Sequence, residues 1–455
     1  MEKYFKLKER GTDVRTEISS GVTTFLAMVY ILAVNPSILS AAGMDSGSVF
    51  TATCISAGVA TFCMAFLANY PVALASGMGL NAYFAYTVVP NIAAMGVDKP
   101  YQIALTAVLV EGIIFILLSL TNFREKLVND IPENLKHAIT AGIGLFIAII
   151  GLKNAGIVAN DDSTLITFGS LRSPGVALAL IGILIVAILY HRNVRGYILI
   201  GILITWGLGM IAQLAGWYHV DPSNGVYSLF PSFSLGSIIP KDKHWFDFNF
   251  AWAGSHLIEF IVICFSFLFV DIFDTVGTLI GVATKANLLD EDGKLPCAKQ
   301  ALLSDAIGTV FGAACGTSTV TSFVESTAGA ANGGRTGLTS VTTGILFFLA
   351  LFLSPIFLAI PSFATTPALV WVGLLMLSSV KQVKFDGDTA DSVGAFLAII
   401  MMPFTSSIAN GIMWGMLSWV IIKVFTGKVK EVSPIMWIVF CMFAAYAVKL
   451  IAAPT

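Results

Sequence analysis

Apolar residues in this chain come in long runs, without the alternation of half-buried strands or the one-sided stripe of surface helices. Before a polar interruption at 218–253, runs lie at about 19–42, 48–68, 76–90, 101–121, 136–152, 174–190 and 197–217. After it they lie at about 255–283, 298–315, 323–333, 338–359, 366–380, 391–405 and 408–425. Most have the length and all-round apolarity of a helix that crosses a bilayer. They predict fourteen membrane spans, numbered 1 to 14 in that order. The first run is too long for a cleavable leader and lacks its flanks, so it is kept as span 1. A further apolar stretch, 434–451, reads either as an additional span or as an interfacial helix. If span 13 ran unbroken from Pro403 to Phe425, this stretch would be the fourteenth span.

Composition narrows the class. Lys and Arg number 25, Asp and Glu 27, together 11% of 455 residues, and hydrophobic residues make up 56%. Mean hydropathy is +0.86. Soluble domains carry about a quarter charged residues, so a soluble protein is excluded. The net charge of -2 leaves no basic surface for nucleic acid. The segment 218–253 is too short and too polar for its own core and reads as an external loop. With the N-terminus placed inside, the cytoplasmic loops and ends hold nineteen Lys and Arg, among them Arg124, Lys126 and Lys294. The outer loops hold five: Lys99, Lys153, Arg172, Lys241 and Lys243. This asymmetry predicts a multi-pass protein of the cell (inner) membrane with a cytoplasmic N-terminus. The six cysteines are scattered singly and read as small buried hydrophobes. The five histidines form no ligand set, so neither a metal nor a cofactor is expected.

Seven spans precede the long loop. An odd number per half makes the halves insert with opposite orientation, as in transporters built from inverted repeats. The third span of each half is short, contains glycine and follows a stretch of small or β-branched residues. These stretches are Pro71-Val72-Ala73-Leu74-Ala75-Ser76 and Gly316-Thr317-Ser318-Thr319-Val320-Thr321-Ser322. Such residues favour extended backbone, so each stretch is predicted to enter the membrane as a strand and turn helical near its middle. Backbone of this kind persists at depth only when covered or paired, and the two stretches are expected to pair with each other. Two half-helix N-termini would then face one midplane site.

Carboxylates inside spans are costly and mark functional candidates. Glu259 and Asp305 lie near span ends and read as hydrated or capping groups, and Glu111 as structural. Asp271 and Asp274, three residues apart on one helix face, would repel if both ionised, so one is expected to hold a proton. Gly277 and Gly281 follow at a spacing that suits close helix approach. Glu325 opens the second half-helix. With no cation at comparable depth, these acids call for a proton, a sodium ion or a hydrogen-bond-donating substrate.

The segments Gly77-Met78-Gly79-Leu80-Asn81-Ala82-Tyr83-Phe84, Asp271 to Thr278, Val324-Glu325-Ser326-Thr327 and Gly334-Arg335-Thr336-Gly337-Leu338 resemble one transporter superfamily. It is the nucleobase-cation symporter superfamily, which includes the uracil and xanthine permeases. Within it the chain resembles the AzgA-like branch of hypoxanthine, adenine and guanine permeases. The resemblance implies an all-α polytopic fold of fourteen spans in a 7+7 inverted repeat, with short antiparallel strands and half-helices at spans 3 and 10. It also implies a core domain (1–122 and 254–359) and a gate domain (123–217 and 360–455), with 218–253 as the outer loop. Asp274 and Glu325 take the positions that hydrogen-bond the base, and Gly79 and Asn81 those of the span 3 contacts. Ser326 and Ala328 depart from the xanthine and ascorbate branch, which has Asn and Gly there. Asp274 departs from the uracil branch, which has Glu.

The expected activity is therefore import of a purine base by proton symport and alternating access, with Asp271, Asp274 and Glu325 as proton-coupling candidates and sodium as the other coupling ion. A purine edge offers N–H donors to carboxylates, and Phe25, Phe273, Phe323, Tyr83 and Phe84 offer stacking surface. Thr23, Thr24 and Ser326 complete the candidate binding residues. The partners expected are the purine and the bilayer, with homodimerisation left open. An anion carrier on the same fold is disfavoured by Asp274 and Glu325. A membrane aspartyl protease would need its aspartates on different helices, so no enzyme is expected.

Overall fold

The computed structural model describes residues 2–120, 131–220, 228–231, 243–290 and 295–452. Arg124, Lys126, Lys241 and Lys294 lie outside these residues, as does the side chain of Phe273.

Nine helices among the described residues are long and apolar enough to cross a bilayer. They are spans 1 (Val14–Ser40), 2 (Ser46–Ala68), 4 (Pro100–Leu120), 5 (Glu133–Asn154), 6 (Pro174–His191), 7 (Tyr197–Leu214), 11 (Gly337–Phe357), 12 (Ser362–Gln382) and 14 (Ile408–Phe425). Spans 8 (Leu257–Lys285) and 9 (Ala298–Cys315) are helices that carry acids, and span 13 (Thr389–Phe404) is shorter. The chain turns at Thr405 to Ser407, with Ser406 at φ 50°, so spans 13 and 14 are separate helices packed on each other and the unbroken alternative does not occur. An additional helix, Pro434–Ala452, follows. Phe443 meets Phe265 edge-on with centroids 5.7 Å apart, and Tyr446 lies near Glu259, so it runs antiparallel along span 8.

Spans 3 and 10 are broken, each a strand followed by a half-helix. β1 (Leu74–Ser76) leads to Met78–Tyr83. After the hairpin of β2 (Val158–Asp161) and β3 (Leu165–Phe168), β4 (Val320–Ser322) leads to Ser326–Ala331. β1 and β4 pair antiparallel with Leu74 opposite Ser322 and Ser76 opposite Val320. A two-stranded ribbon leaves outer edges unpaired, which is costly away from water. Here hydroxyls close them. Thr61 of span 2 accepts from the Leu74 N–H (3.0 Å) and donates to its carbonyl (3.2 Å), and Thr309 of span 9 donates to the Val320 carbonyl (3.0 Å). Spans 2 and 9 are counterparts in the two halves, so the same device appears twice under the inverted repeat.

Several spans pack closely in sets. Span 5 packs against spans 12 and 13, with Gly144 and Gly373 back to back: a Cβ on Gly373 would lie 2.5 Å from the Gly144 carbonyl. Span 9 packs against spans 2 and 4, and span 11 against spans 1 and 2. Gly277 and Gly281 correct the expectation of close helix approach. Among the described residues nothing lies within 4 Å of a Cβ built at either, so that face of span 8 meets no described neighbour closely. Cys54 and Cys264 are buried as expected, whereas Cys441 is exposed on the additional helix.

Candidate functional site

The crossing strands border a cavity of about 1820 Å³. Its inner wall contains Asp274 and Gly277 of span 8, Gly77 to Gly79 of span 3, Ser322 to Glu325 of span 10 and Tyr30 of span 1. Lys136, Lys285, Lys381 and Lys384 line the same cavity. Lys285 ends span 8 and is exposed. Asp274 lies eleven residues before it, about 16 Å along the helix. The cavity therefore joins the acids at depth to the face assigned to the cytoplasm.

Span 1 is interrupted as a regular α-helix at Val29 and Tyr30. The helical bonds tighten to three-residue spacing, Leu32 N–H to the Val29 carbonyl (3.1 Å) and Ala33 N–H to the Tyr30 carbonyl (3.0 Å), six residues before Pro36. The buried Tyr30 hydroxyl donates to Glu325 at 2.5 Å. Glu325 is the N-cap residue of its half-helix and is only partly buried, as is Asp274. Both carboxylates thus border the cavity, one held by a phenol.

Asp271 and Asp274 part ways. Asp271 is fully buried and turns away from the cavity towards Thr275 and Asp305. Thr275 Oγ1 stands 2.8 Å from Asp305 Oδ2, 2.8 Å from Thr321 Oγ1 and 3.5 Å from Asp271 Oδ1. Ser322 donates to the other Asp305 oxygen at 2.8 Å. Asp305 is fully buried, which corrects the reading of it as a hydrated or capping group. It ties β4 to span 8 directly behind the cavity wall.

Among the remaining sequence candidates, Gly79 lines the cavity and packs on span 5, where a Cβ would lie 2.8 Å from Ile143 Cγ2. Phe323 also lines it. Asn81 is buried behind the strands, accepting from the Ser318 hydroxyl and donating to the Ser76 carbonyl at 3.4 Å. Ser326 Oγ accepts from the Ala73 N–H at 3.0 Å and so joins the two broken spans. Thr24 faces the second half-helix, where a Cβ on Gly329 would fall 2.0 Å from its hydroxyl. Tyr83 and Phe84 pack on Phe267, and Phe25 on Phe347. Of the five aromatic candidates, Phe323 alone lines the cavity among the described residues.

Sequence reasoning missed Tyr30 and Glu17. Glu17, fully buried in the first turn of span 1, accepts five hydrogen bonds. They come from Arg335 N–H (2.8 Å), Thr336 N–H (3.2 Å) and Oγ1 (2.8 Å), and Thr339 N–H (3.1 Å) and Oγ1 (2.6 Å). An acid beside a charged N-terminal tail carries no signal of burial. A tyrosine in an apolar span has one only in its hydroxyl, which must find a partner at depth.

Pseudo-symmetric halves, crossed strands with half-helices and a cavity beside them define a polytopic transporter fold. The transmembrane domain of a cyanobacterium bicarbonate transporter BicA superposes with TM-score 0.66 at 14% identity, covering 88% of this chain and 96% of that one. SLC26A9 superposes with TM-score 0.63 at 13% identity, covering 91% of this chain and 66% of that one. The chain belongs to the Permease family (Xan_ur_permease), whose model matches residues 15–414. It is 46% identical over 441 residues to the guanine/hypoxanthine permease PbuO of Bacillus subtilis (strain 168), covering 96% of this chain and 98% of the relative. It is 44% identical over 444 residues to the adenine permease AdeP of Escherichia coli (strain K12), covering 97% and 95%.

Proposed function

We propose that this permease imports a purine nucleobase across the cell membrane by proton symport. The observation that carries the reading is the convergence of Asp274 and Glu325 on one cavity behind the crossed strands. Two acceptor carboxylates suit the N–H edge of a neutral heteroaromatic base and repel an anion. Glu325 takes the base N–H donors beside its bond from Tyr30, Asp274 or Asp271 carries the coupling proton, and Phe323 offers ring surface. Relatives named for adenine and for guanine and hypoxanthine support the purine class.

The packed sets of spans support alternating access, with a core of spans 1–4 and 8–11 moving against a gate of spans 5–7 and 12–14. The contact of Gly79 with Ile143 lies on that boundary. With the N-terminus cytoplasmic, the cavity bordered by Lys285, Lys381 and Lys384 opens inward.

Uptake of radiolabelled hypoxanthine into cells expressing the chain tests the reading. Unlabelled adenine and guanine should compete, uracil should not, and a protonophore should collapse accumulation. Absence of saturable uptake, or competition by uracil alone, would overturn it.

A further inference from the structure

A second cavity, of about 500 Å³, lies on the outer surface of spans 2, 4 and 9, away from the site. Ile55, Ile116, Ile307, Val310 and Phe311 form its walls, and Trp245 closes one end. The helical wall residues are each partly exposed, so the space is an open groove and not a sealed void. Water finds no polar partners on such walls, and an empty groove forfeits dispersion contacts along its whole lining. In a bilayer the available filler is a hydrocarbon chain.

The ends of the groove differ. From Ile307 to Ala314 the wall runs seven residues along span 9, about 10 Å. At the outer end the chain is anchored by the Phe246 N–H donating to the Ala314 carbonyl at 2.9 Å. Trp245 and Phe246 stay 42% and 73% exposed there, and Lys243 Nζ stands 5.3 Å over the Trp245 ring. Lys243 is exposed and has no ion pair among the described residues. An aromatic ring and a lysine at the mouth of an apolar groove form the pattern of the headgroup level, with the cation offered to a negative group.

We propose that the groove holds one acyl chain of a membrane phospholipid whose anionic headgroup is bound by Lys243. The segment that closes the groove also carries His244, which packs against Gly316 at the entry to span 10: a Cβ there would lie 2.7 Å from His244 Cβ. The lipid thereby supports the outer seat of the second broken span.

Native mass spectrometry of the full chain, taken from vesicles of equal phosphatidylglycerol and phosphatidylcholine, tests this. Wild type should retain one lipid, with phosphatidylglycerol in several-fold excess. Lys243→Gln should equalise the two lipids, and Val310→Trp, which fills the groove, should lose the retained lipid. Wild type without retained lipid, an unchanged preference in Lys243→Gln, or full retention in folded Val310→Trp would overturn the proposal. Cys315 in the groove wall gives a readout that needs no variant. Its alkylation by an apolar maleimide, followed by peptide mass spectrometry, should slow several-fold when phosphatidylglycerol is present, and an unchanged rate would overturn the proposal.

Discussion

Glu17 fastens span 1 to the turn that follows the second half-helix, and its removal should be among the most destabilising changes in the core spans. Its Oε1 accepts from the Arg335 N–H, and its Oε2 accepts from four donors on Thr336 and Thr339. Hydrogen bonds to a charged group contribute about 1.5–3 kcal/mol each, but they do not add when they share one acceptor. Stripping one partner from a buried charged network costs roughly 3–5 kcal/mol. Glu17→Ala should therefore cost about that much. Glu17→Gln can place its amide oxygen among the four donors and sacrifice only the Arg335 bond, a loss of about 1–2 kcal/mol. Glu9, exposed and paired with Lys6 at 3.2 Å, is the control, since surface pairs contribute about 0–1 kcal/mol. Thermal denaturation of detergent-solubilised protein, read by fluorescence-detected gel filtration, should rank Glu9→Ala near wild type, Glu17→Gln lower and Glu17→Ala lowest. A Glu17→Ala protein as stable as Glu9→Ala would refute the reasoning.

Further outcomes follow from other contacts. Tyr30→Phe removes the donor to Glu325 and should weaken base binding by about tenfold, the equivalent of a bond of roughly 1.5 kcal/mol, in a filter-binding assay; unchanged affinity would remove Tyr30 from the site. Gly79→Val places a branched side chain against Ile143 and should cut transport far more than the amount of protein in the membrane, as read by uptake against immunoblot. Asp388, capping span 13, is held well below the usual carboxylate range by hydrogen bonds from Lys423 (2.5 Å) and Lys428 (2.9 Å). A carboxyl depressed in the folded state contributes stability above about pH 4, which is lost as pH falls towards its folded value. Asp388→Asn should thus lower the melting temperature equally at pH 7.5 and pH 5.5, with the gap closing only below about pH 4.

The repeat and the strands were legible because lipid enforces them: β-branched runs beside glycine have few alternatives at depth, and the two found each other as β1 and β4. The acids Asp274 and Glu325 stood out for the same reason, as charge in hydrocarbon needs a cause. Facing was not legible. Asp271 and Asp274 share a helix but border different surroundings, and the spacing of Gly277 and Gly281 fits close packing although that face meets no described neighbour closely. Asp305 sits near a span end in sequence, yet Thr275 and Ser322 close over it in three dimensions. Glu17 belongs to a charged tail until Arg335, Thr336 and Thr339, at the entry to span 11, supply its donors. Each of these depends on contacts between residues far apart in the chain, which no local pattern encodes.

Equilibrium binding of radiolabelled hypoxanthine to purified wild type, Asp274→Asn and Glu325→Gln, each shown to insert in the membrane to the same level, addresses the site most directly. Saturable binding by wild type and its loss in both variants, together with loss of concentrative uptake in cells, is the predicted result. Near-normal binding and accumulation in either variant would contradict the assignment of that carboxylate to the base.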